Sequence, residues 1–187
     1  MAEEKNRIAV LWSGGFDSTV MLYLLASKDY HVKPYHILIR GGGGKDFREK
    51  YAIDEIWVDL ESKYPKVESP VHVRHTIRKC DYRNQKMISF VNSEFGERKI
   101  ALGSYVEGSR FSYDNDNDFL SKITGCEVIT FDNFNIRNKD EIASLVHGLG
   151  LEEIIKKTWS CQLWFKNPCG KCFSCKQREK AFEAIKK

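Results

Sequence analysis

The apolar run Ile8-Ala9-Val10-Leu11-Trp12 leads directly into Ser13-Gly14-Gly15-Phe16-Asp17-Ser18-Thr19, and that into Val20-Met21-Leu22-Tyr23-Leu24-Leu25. The order is strand, turn of small residues, helix. A helix N-terminus leaves backbone N–H groups without partners, and these groups attract anions. Gly14 and Gly15 let the backbone approach a phosphate with no Cβ in the way. Ser13, Ser18 and Thr19 add hydroxyl donors. Asp17 repels a bare phosphate, so its expected task is to hold Mg²⁺ or to orient the loop. An ordinary glycine turn is the competing reading.

The loop differs from the Gly-x-x-x-x-Gly-Lys-[Ser/Thr] and Gly-x-Gly-x-x-Gly phosphate loops. Ser-Gly-Gly-x-Asp-Ser after an N-terminal strand instead resembles the PP-loop ATP pyrophosphatase superfamily. That resemblance implies cleavage of ATP between the α- and β-phosphates, with AMP transferred to an oxygen of the substrate.

The 187 residues suit one domain or one domain with a small appendage, and 42% hydrophobic content is enough for a real core. A net charge of +4 suits an anionic substrate better than it suits dedicated nucleic-acid binding. No apolar run approaches a membrane span and the N-terminus lacks signal-peptide character, so a soluble, cytoplasmic protein is expected. Six cysteines in a reducing compartment argue against a disulfide framework.

Strands alternate with helices along the chain. Strands are expected at Ile8–Trp12, Val32–Ile39, Ile56–Leu60, Lys99–Leu102 and Glu127–Phe131. Helices are expected at Ser18–Ser27, from Phe47–Tyr51, from about Asp81 to Phe95, and at Asp140–Leu149, the last with Asn138 as N-cap and Gly148 or Gly150 near its end. Tyr64–Val73, with Pro65 and Pro70, reads as irregular. The expected fold is α/β, a Rossmann-like parallel sheet covered on both faces, with its ligand beyond the C-terminal strand ends. The loops after strands one, two and four then share one pocket. Asp114–Asp118 begins like a calcium loop, but Phe119 and Gly125 occupy the required glycine and acidic positions, so it reads as a solvated loop or lid. The basic run Arg74–Arg83 reads as a solvated face, with an RNA contact as the minority reading.

Four cysteines crowd the tail: Cys161, then Cys169, Cys172 and Cys175 in two consecutive Cys-x-x-Cys steps. Thiolates so spaced can converge on one tetrahedral ion, and four of them describe a closed, structural zinc site. An iron–sulfur cluster is the main competitor, although the fourth ligand with its following proline is missing. Disulfides come third. Cys80 and Cys126 read as small buried hydrophobes.

Thr158-Trp159-Ser160-Cys161, the cluster Cys169-Gly170-Lys171-Cys172-Phe173-Ser174-Cys175, Arg178 and Ala181-Phe182 resemble the 7-cyano-7-deazaguanine synthase family. Lys139-Asp140-Glu141-Ile142 and Leu149-Gly150-Leu151 add to the resemblance, which runs from about Ile8 to Phe182. It implies an adenine nucleotide α-hydrolase-like fold with strand order 3-2-1-4-5. The division is an ATP-binding domain over 1–157 and a zinc-binding segment over 158–187 packed on it. It further implies a ligase that adenylates 7-carboxy-7-deazaguanine and uses ammonia to build the nitrile, with ATP, Mg²⁺ and structural Zn²⁺, in a homodimer. Modification of another base or of tRNA, and a non-catalytic nucleotide-binding partner protein, are the alternatives.

By the same resemblance Ser13, Asp17, Ser18 and Lys139 carry the catalysis. Trp12, Ser13, Gly14, Gly15, Asp17, Ser18 and Thr19 hold the nucleotide, with Asp17 on Mg²⁺. Backbone at the end of strand two, near His36 and Ile37, and the Gly103 loop contact adenosine, and Cys161, Cys169, Cys172 and Cys175 hold the metal. Lys139 or Arg137 balances phosphate or carboxylate charge; for Lys139 a solvated residue near a helix start is the competing reading. Arg40-Gly41-Gly42-Gly43-Gly44 stands where the family usually carries Tyr-Gly-Gln. The family's base-reading segment is not recognisable after strand four, where Glu107, Arg110 and Tyr113 are the candidates.

Overall fold

The computed structural model describes residues 6–39, 44–75, 83–105, 116–163 and 167–186. Five strands form one parallel sheet in the order β3-β2-β1-β4-β5: β1 (Arg7–Leu11), β2 (His31–Ile39), β3 (Val71–His75), β4 (Lys99–Leu102) and β5 (Glu127–Ile129). Seven α-helices are described: α1 (Phe16–Ser27), α2 (Gly44–Lys63), α3 (Arg83–Phe95), α4 (Asn117–Thr124), α5 (Lys139–Leu149), α6 (Glu152–Lys157) and α7 (Phe173–Ile185). The expected sheet and its order are therefore observed. None of the described helices is long and apolar enough to cross a membrane.

Alternation along the strands builds two cores. Ile8, Val10 and Trp12 face α1, and Ala9, Leu11, Tyr35 and Ile37 face the side that holds Ile88, Val91 and Leu120 of α3 and α4. Helix α1 is buried at Phe16 and at every position from Ser18 to Ala26. It is covered by the sheet on one side and by α5 and α6 on another, which explains its nearly uninterrupted apolar sequence.

The third strand corrects the sequence reading. Ile56–Leu60 lies inside α2, and β3 is Val71–His75, at the end of the stretch that reads as irregular. Ile56-Trp57-Val58 has strand-like composition. However, burial falls on Ala52, Ile53, Ile56 and Leu60, a helical spacing, while Val58 is 67% exposed. Pro70 precedes an edge strand, where a missing N–H is tolerated. Two smaller corrections follow. Glu127 starts a strand that stops at Ile129, with a 3₁₀ turn over Phe131–Phe134. Asp116 is the N-cap of α4, its carboxylate accepting from the Phe119 N–H at 2.9 Å, so Asn117 and Asp118 begin a helix. Asn138 and Gly150 bound α5 as expected. Arg40, Cys80, Glu107, Arg110, Tyr113 and Asp114 lie outside the described residues.

Candidate nucleotide and metal sites

The Ser13–Thr19 turn connects β1 to α1 at the C-terminal edge of the sheet. Gly14 takes φ +68°, and a Cβ there would lie 2.8 Å from the Glu49 carbonyl oxygen. The left-handed conformation and the close approach of α2 both require glycine. The Ser18 hydroxyl accepts from the Ser13 N–H (3.3 Å), meets the Ser13 hydroxyl (3.2 Å) and donates to the Gly15 carbonyl (3.3 Å). The loop is thus pre-shaped by its own side chains. No side chain caps α1, whose first-turn N–H groups open toward the sheet edge.

A cavity of about 460 Å³ lies over this edge. Trp12, Ser13, Asp17, Ser18, His36, Ile37 and Gly103 line it, so seven of the sequence-expected residues converge on one space. Gly14 and Gly15 shape the loop beneath it. Thr19 differs: it is fully buried, and its hydroxyl accepts from the Trp12 indole N–H at 3.0 Å. A hydroxyl held there braces the loop against the core. Gly103 is explained by packing, since a Cβ would lie 2.4 Å from the Ser18 nitrogen and 2.5 Å from the Asp17 carbonyl carbon. The end of β4 passes directly against the first turn of α1.

The ammonium of Lys139, at the start of α5, is ion-paired with the Asp17 carboxylate. It also lies 5.2 Å from the centre of the Phe16 ring and 5.4 Å from that of Tyr105. Arg137 is exposed. The wall also includes Glu49 from α2, Arg83, Asn84 and Met87 from α3, Ser104, and Ser174 from the cysteine segment. Sequence reasoning missed these. Ser104 follows Gly103 and was within reach, but nothing local marks the others. The Ser104 Oγ is buried without a hydrogen-bond partner.

The four tail cysteines meet, with all Sγ atoms within 4.8 Å of one another. Cys169 and Cys175 are 3.8 Å apart, close to the roughly 3.8 Å that separates thiolates placed about 2.3 Å from a tetrahedral ion. The Cys172 N–H points at the Cys169 sulfur (3.3 Å) and the Cys175 N–H at that of Cys172 (3.4 Å). N–H groups from Cys172 and Lys171 hold the Cys169 thiol down to about 6, favouring the thiolate. Burial pushes Cys175 up to about 12, the cost an uncompensated thiolate would carry there. The donor set fits a metal ion. Cys126 is buried, as expected of a small hydrophobe.

This segment is joined to the phosphate-type loop. The Trp159 N–H donates to the Gly14 carbonyl at 2.8 Å, its indole N–H reaches the Cys161 carbonyl at 3.1 Å, and Arg48 lies 5.5 Å from its ring centre. Arg178 serves packing. It donates to the Ile155 and Lys156 carbonyls at 3.4 and 3.1 Å and stacks 4.4 Å from the centre of the Phe182 ring.

Residues 73–186 match the family model described as "Queuosine biosynthesis protein QueC". A "7-cyano-7-deazaguanine synthase 1" of Desulfitobacterium hafniense is 28% identical, over 96% of this chain and 92% of that protein. A "7-cyano-7-deazaguanine synthase" of a Nitratiruptor species is 25% identical, over 95% of this chain and 94% of that protein. One of the same description from Nautilia profundicola is 27% identical, over 95% and 94%.

Proposed function

The chain belongs to the QueC family, and from that premise we propose that it is an ATP-dependent ligase converting 7-carboxy-7-deazaguanine and ammonia to 7-cyano-7-deazaguanine. The observation that carries this reading is the meeting of both signature segments at one cavity. The Ser13–Thr19 loop forms its floor, and Ser174 of the cysteine segment forms part of its wall.

A carboxylate is a poor electrophile. In the proposed reaction its oxygen attacks the α-phosphorus of ATP and pyrophosphate departs. Ammonia then displaces AMP to give the amide. A second adenylation on the amide oxygen and loss of AMP give the nitrile. The protein's part is alignment and charge stabilisation. The first-turn N–H groups of α1 with Ser13 and Ser18 receive the departing pyrophosphate. Lys139 offers the one ammonium ion-paired at the loop, among the described residues, and transfers it from Asp17 to phosphate when the nucleotide enters. Asp17 is then free to hold Mg²⁺, whose contribution is neutralisation of phosphate charge. Gly103 permits the approach of β4 that places β4 and α1 against the same substrate. Zn²⁺ in the four-cysteine site would staple the segment whose Trp159 holds Gly14. The division into a nucleotide-binding body over 1–157 and a stapled segment over 158–187 follows the same logic.

The test is incubation with Mg-ATP, ammonium and 7-carboxy-7-deazaguanine, followed by mass spectrometry. AMP, pyrophosphate and a nitrile product are expected. ADP with phosphate, or no turnover on any deazapurine, would overturn the proposal.

A further inference from the structure

Four titratable side chains form a line from the cavity to the surface, and the chemistry above uses none of them. Glu49, 6% exposed, stands in the cavity wall. Its Oε2 is 3.6 Å from His36 Nε2. His36 Nδ1 is 3.1 Å from His72 Nδ1. His72 Nε2 is 3.7 Å from Asp54 Oδ1, whose side chain is 51% exposed. Each imidazole therefore turns one nitrogen toward each neighbour.

The backbone sets this arrangement. His36 and His72 are register partners on the parallel strands β2 and β3, so their side chains leave the same face. Glu49, Lys50 and Asp54 come from α2, which packs on β2. Lys50 pairs with Asp54 at 2.6 Å. A cross-strand pair of β-branched residues would hold β2 to β3 at least as well, without burying ionisable groups. His36 is 1% exposed, and its Nε2 has no hydrogen-bond partner. Burial, with His36 and Lys50 beside it and Asp54 opposing, keeps His72 below the ordinary histidine range, so its ring is uncharged near neutrality. Two nitrogens 3.1 Å apart share one proton: one ring donates and the other accepts.

We propose that Glu49, His36, His72 and Asp54 form a proton relay that carries the proton released by the attacking amine out of the cavity to solvent. The relay rests on the ligase reading. When ammonia attacks the adenylated carboxyl, a C–N bond forms, the C–O bond to AMP breaks, and AMP leaves with the electron pair. One N–H proton must then leave the reacting nitrogen. Glu49 accepts it and His36 takes it on Nε2 while releasing the Nδ1 proton to His72. His72 in turn releases its Nε2 proton toward Asp54 and water. The two outer gaps exceed hydrogen-bond length and close by a small side-chain shift or through one water, a common state of such contacts before substrate binds. Glu49 is the group placed to touch substrate; His36, His72 and Asp54 act through it.

Two measurements test the relay. The first compares wild type with His72→Gln and His72→Ala in pyrophosphate–ATP exchange without ammonia and in ammonia-dependent turnover. The ammonia-dependent step is expected to slow ~10-fold more than exchange, with an altered pH profile and recovery of His72→Ala by added imidazole. Equal loss in both assays, or no loss, overturns the relay. The second measurement needs no substrate and no variant: ¹⁵N shifts of the histidine rings in the wild-type protein. His36 is expected as the Nδ1–H tautomer and His72 as the Nε2–H tautomer. His36 in the Nε2–H form could not take a proton from Glu49 at that nitrogen and would overturn the relay by itself. A wild type inactive on the deazapurine defeats the ligase reading, and the ring spectra then decide the relay alone.

Discussion

Lys139 and Asp17 stand 122 positions apart in sequence and form an ion pair at the mouth of the phosphate-type loop. The pair is only partly sheltered, with side-chain exposures of 17% and 35%. It therefore contributes little to stability, about 0–1 kcal/mol. In the proposed reaction its value is positional: a cation and a carboxylate are held next to each other, where a nucleotide and its metal would separate them. Lys139→Met should lower the rate of AMP formation by ~100-fold, the scale of one lost charge-stabilising group. The melting temperature should shift by only a few degrees. A large fall in melting temperature with near-normal rate would reverse that assignment.

Thr19→Val separates bracing from ligand binding. The Thr19 hydroxyl is fully buried against the Trp12 indole. Removing it leaves a buried N–H unsatisfied, at about 1–3 kcal/mol. Urea denaturation should report that loss, while the KM for ATP stays within ~3-fold in a variant that still folds. A large rise in KM with unchanged stability would return Thr19 to the pyrophosphate site.

Gly103→Ala places a methyl group inside contact distance of backbone atoms of Asp17 and Ser18, which have no flexible end to move. Strain of roughly 1–3 kcal/mol is expected, relieved by displacement of the first turn of α1. Nucleotide affinity, read by calorimetry, should fall more than stability does. Gly148→Ala is the control: an added Cβ there meets nothing within 4 Å, and its backbone is not in the left-handed region.

Metal removal should propagate to the loop. Strong chelation, or Cys172→Ser, should release one metal ion per chain, measured by elemental analysis. It should also lower the melting temperature, because a structural metal supplies folding free energy to a short segment. Through the Trp159–Gly14 bond, amide exchange at Gly14 and Gly15 should speed up as well. Iron with sulfide in the purified protein would replace the zinc assignment.

Glu68 predicts a pH signature away from the site. Burial raises its carboxyl, but Lys33 at 2.7 Å, Arg7 at 3.4 Å and His31 at 3.2 Å outweigh burial and hold it below the usual range. A carboxyl lowered in the folded state stabilises above its unfolded value, and this stabilisation is lost as pH falls through the folded value. Glu68→Gln should therefore cost roughly 1 kcal/mol at pH 7, and the gap to wild type should close below about pH 4. A constant gap down to acid pH would count against the ionic account.

Two kinds of information are local enough to be read along the chain. The loop Ser13–Thr19 depends on neighbours within a few positions, since glycines, hydroxyls and a helix start act over one turn. The cysteines are likewise spaced so that short loops bring their sulfurs together, and strands with strong apolar patterns, such as Ile8–Leu11, declare themselves. Tertiary structure decided the rest, because burial and long-range contact overrule local preference. Ile56–Leu60 has the composition of a strand and became helix, because its apolar residues fall on one face of α2. Thr19 belongs to a phosphate-type motif and was turned into the core by Trp12. Gly103 owes its glycine to a helix start about 85 residues earlier, which no spacing reveals. The line from Glu49 to Asp54 exists only because β2 and β3 pair in a register that sets His36 beside His72. The chain's own order thus determined the chemistry on offer. Sheet pairing and packing determined which groups stand close enough to use it.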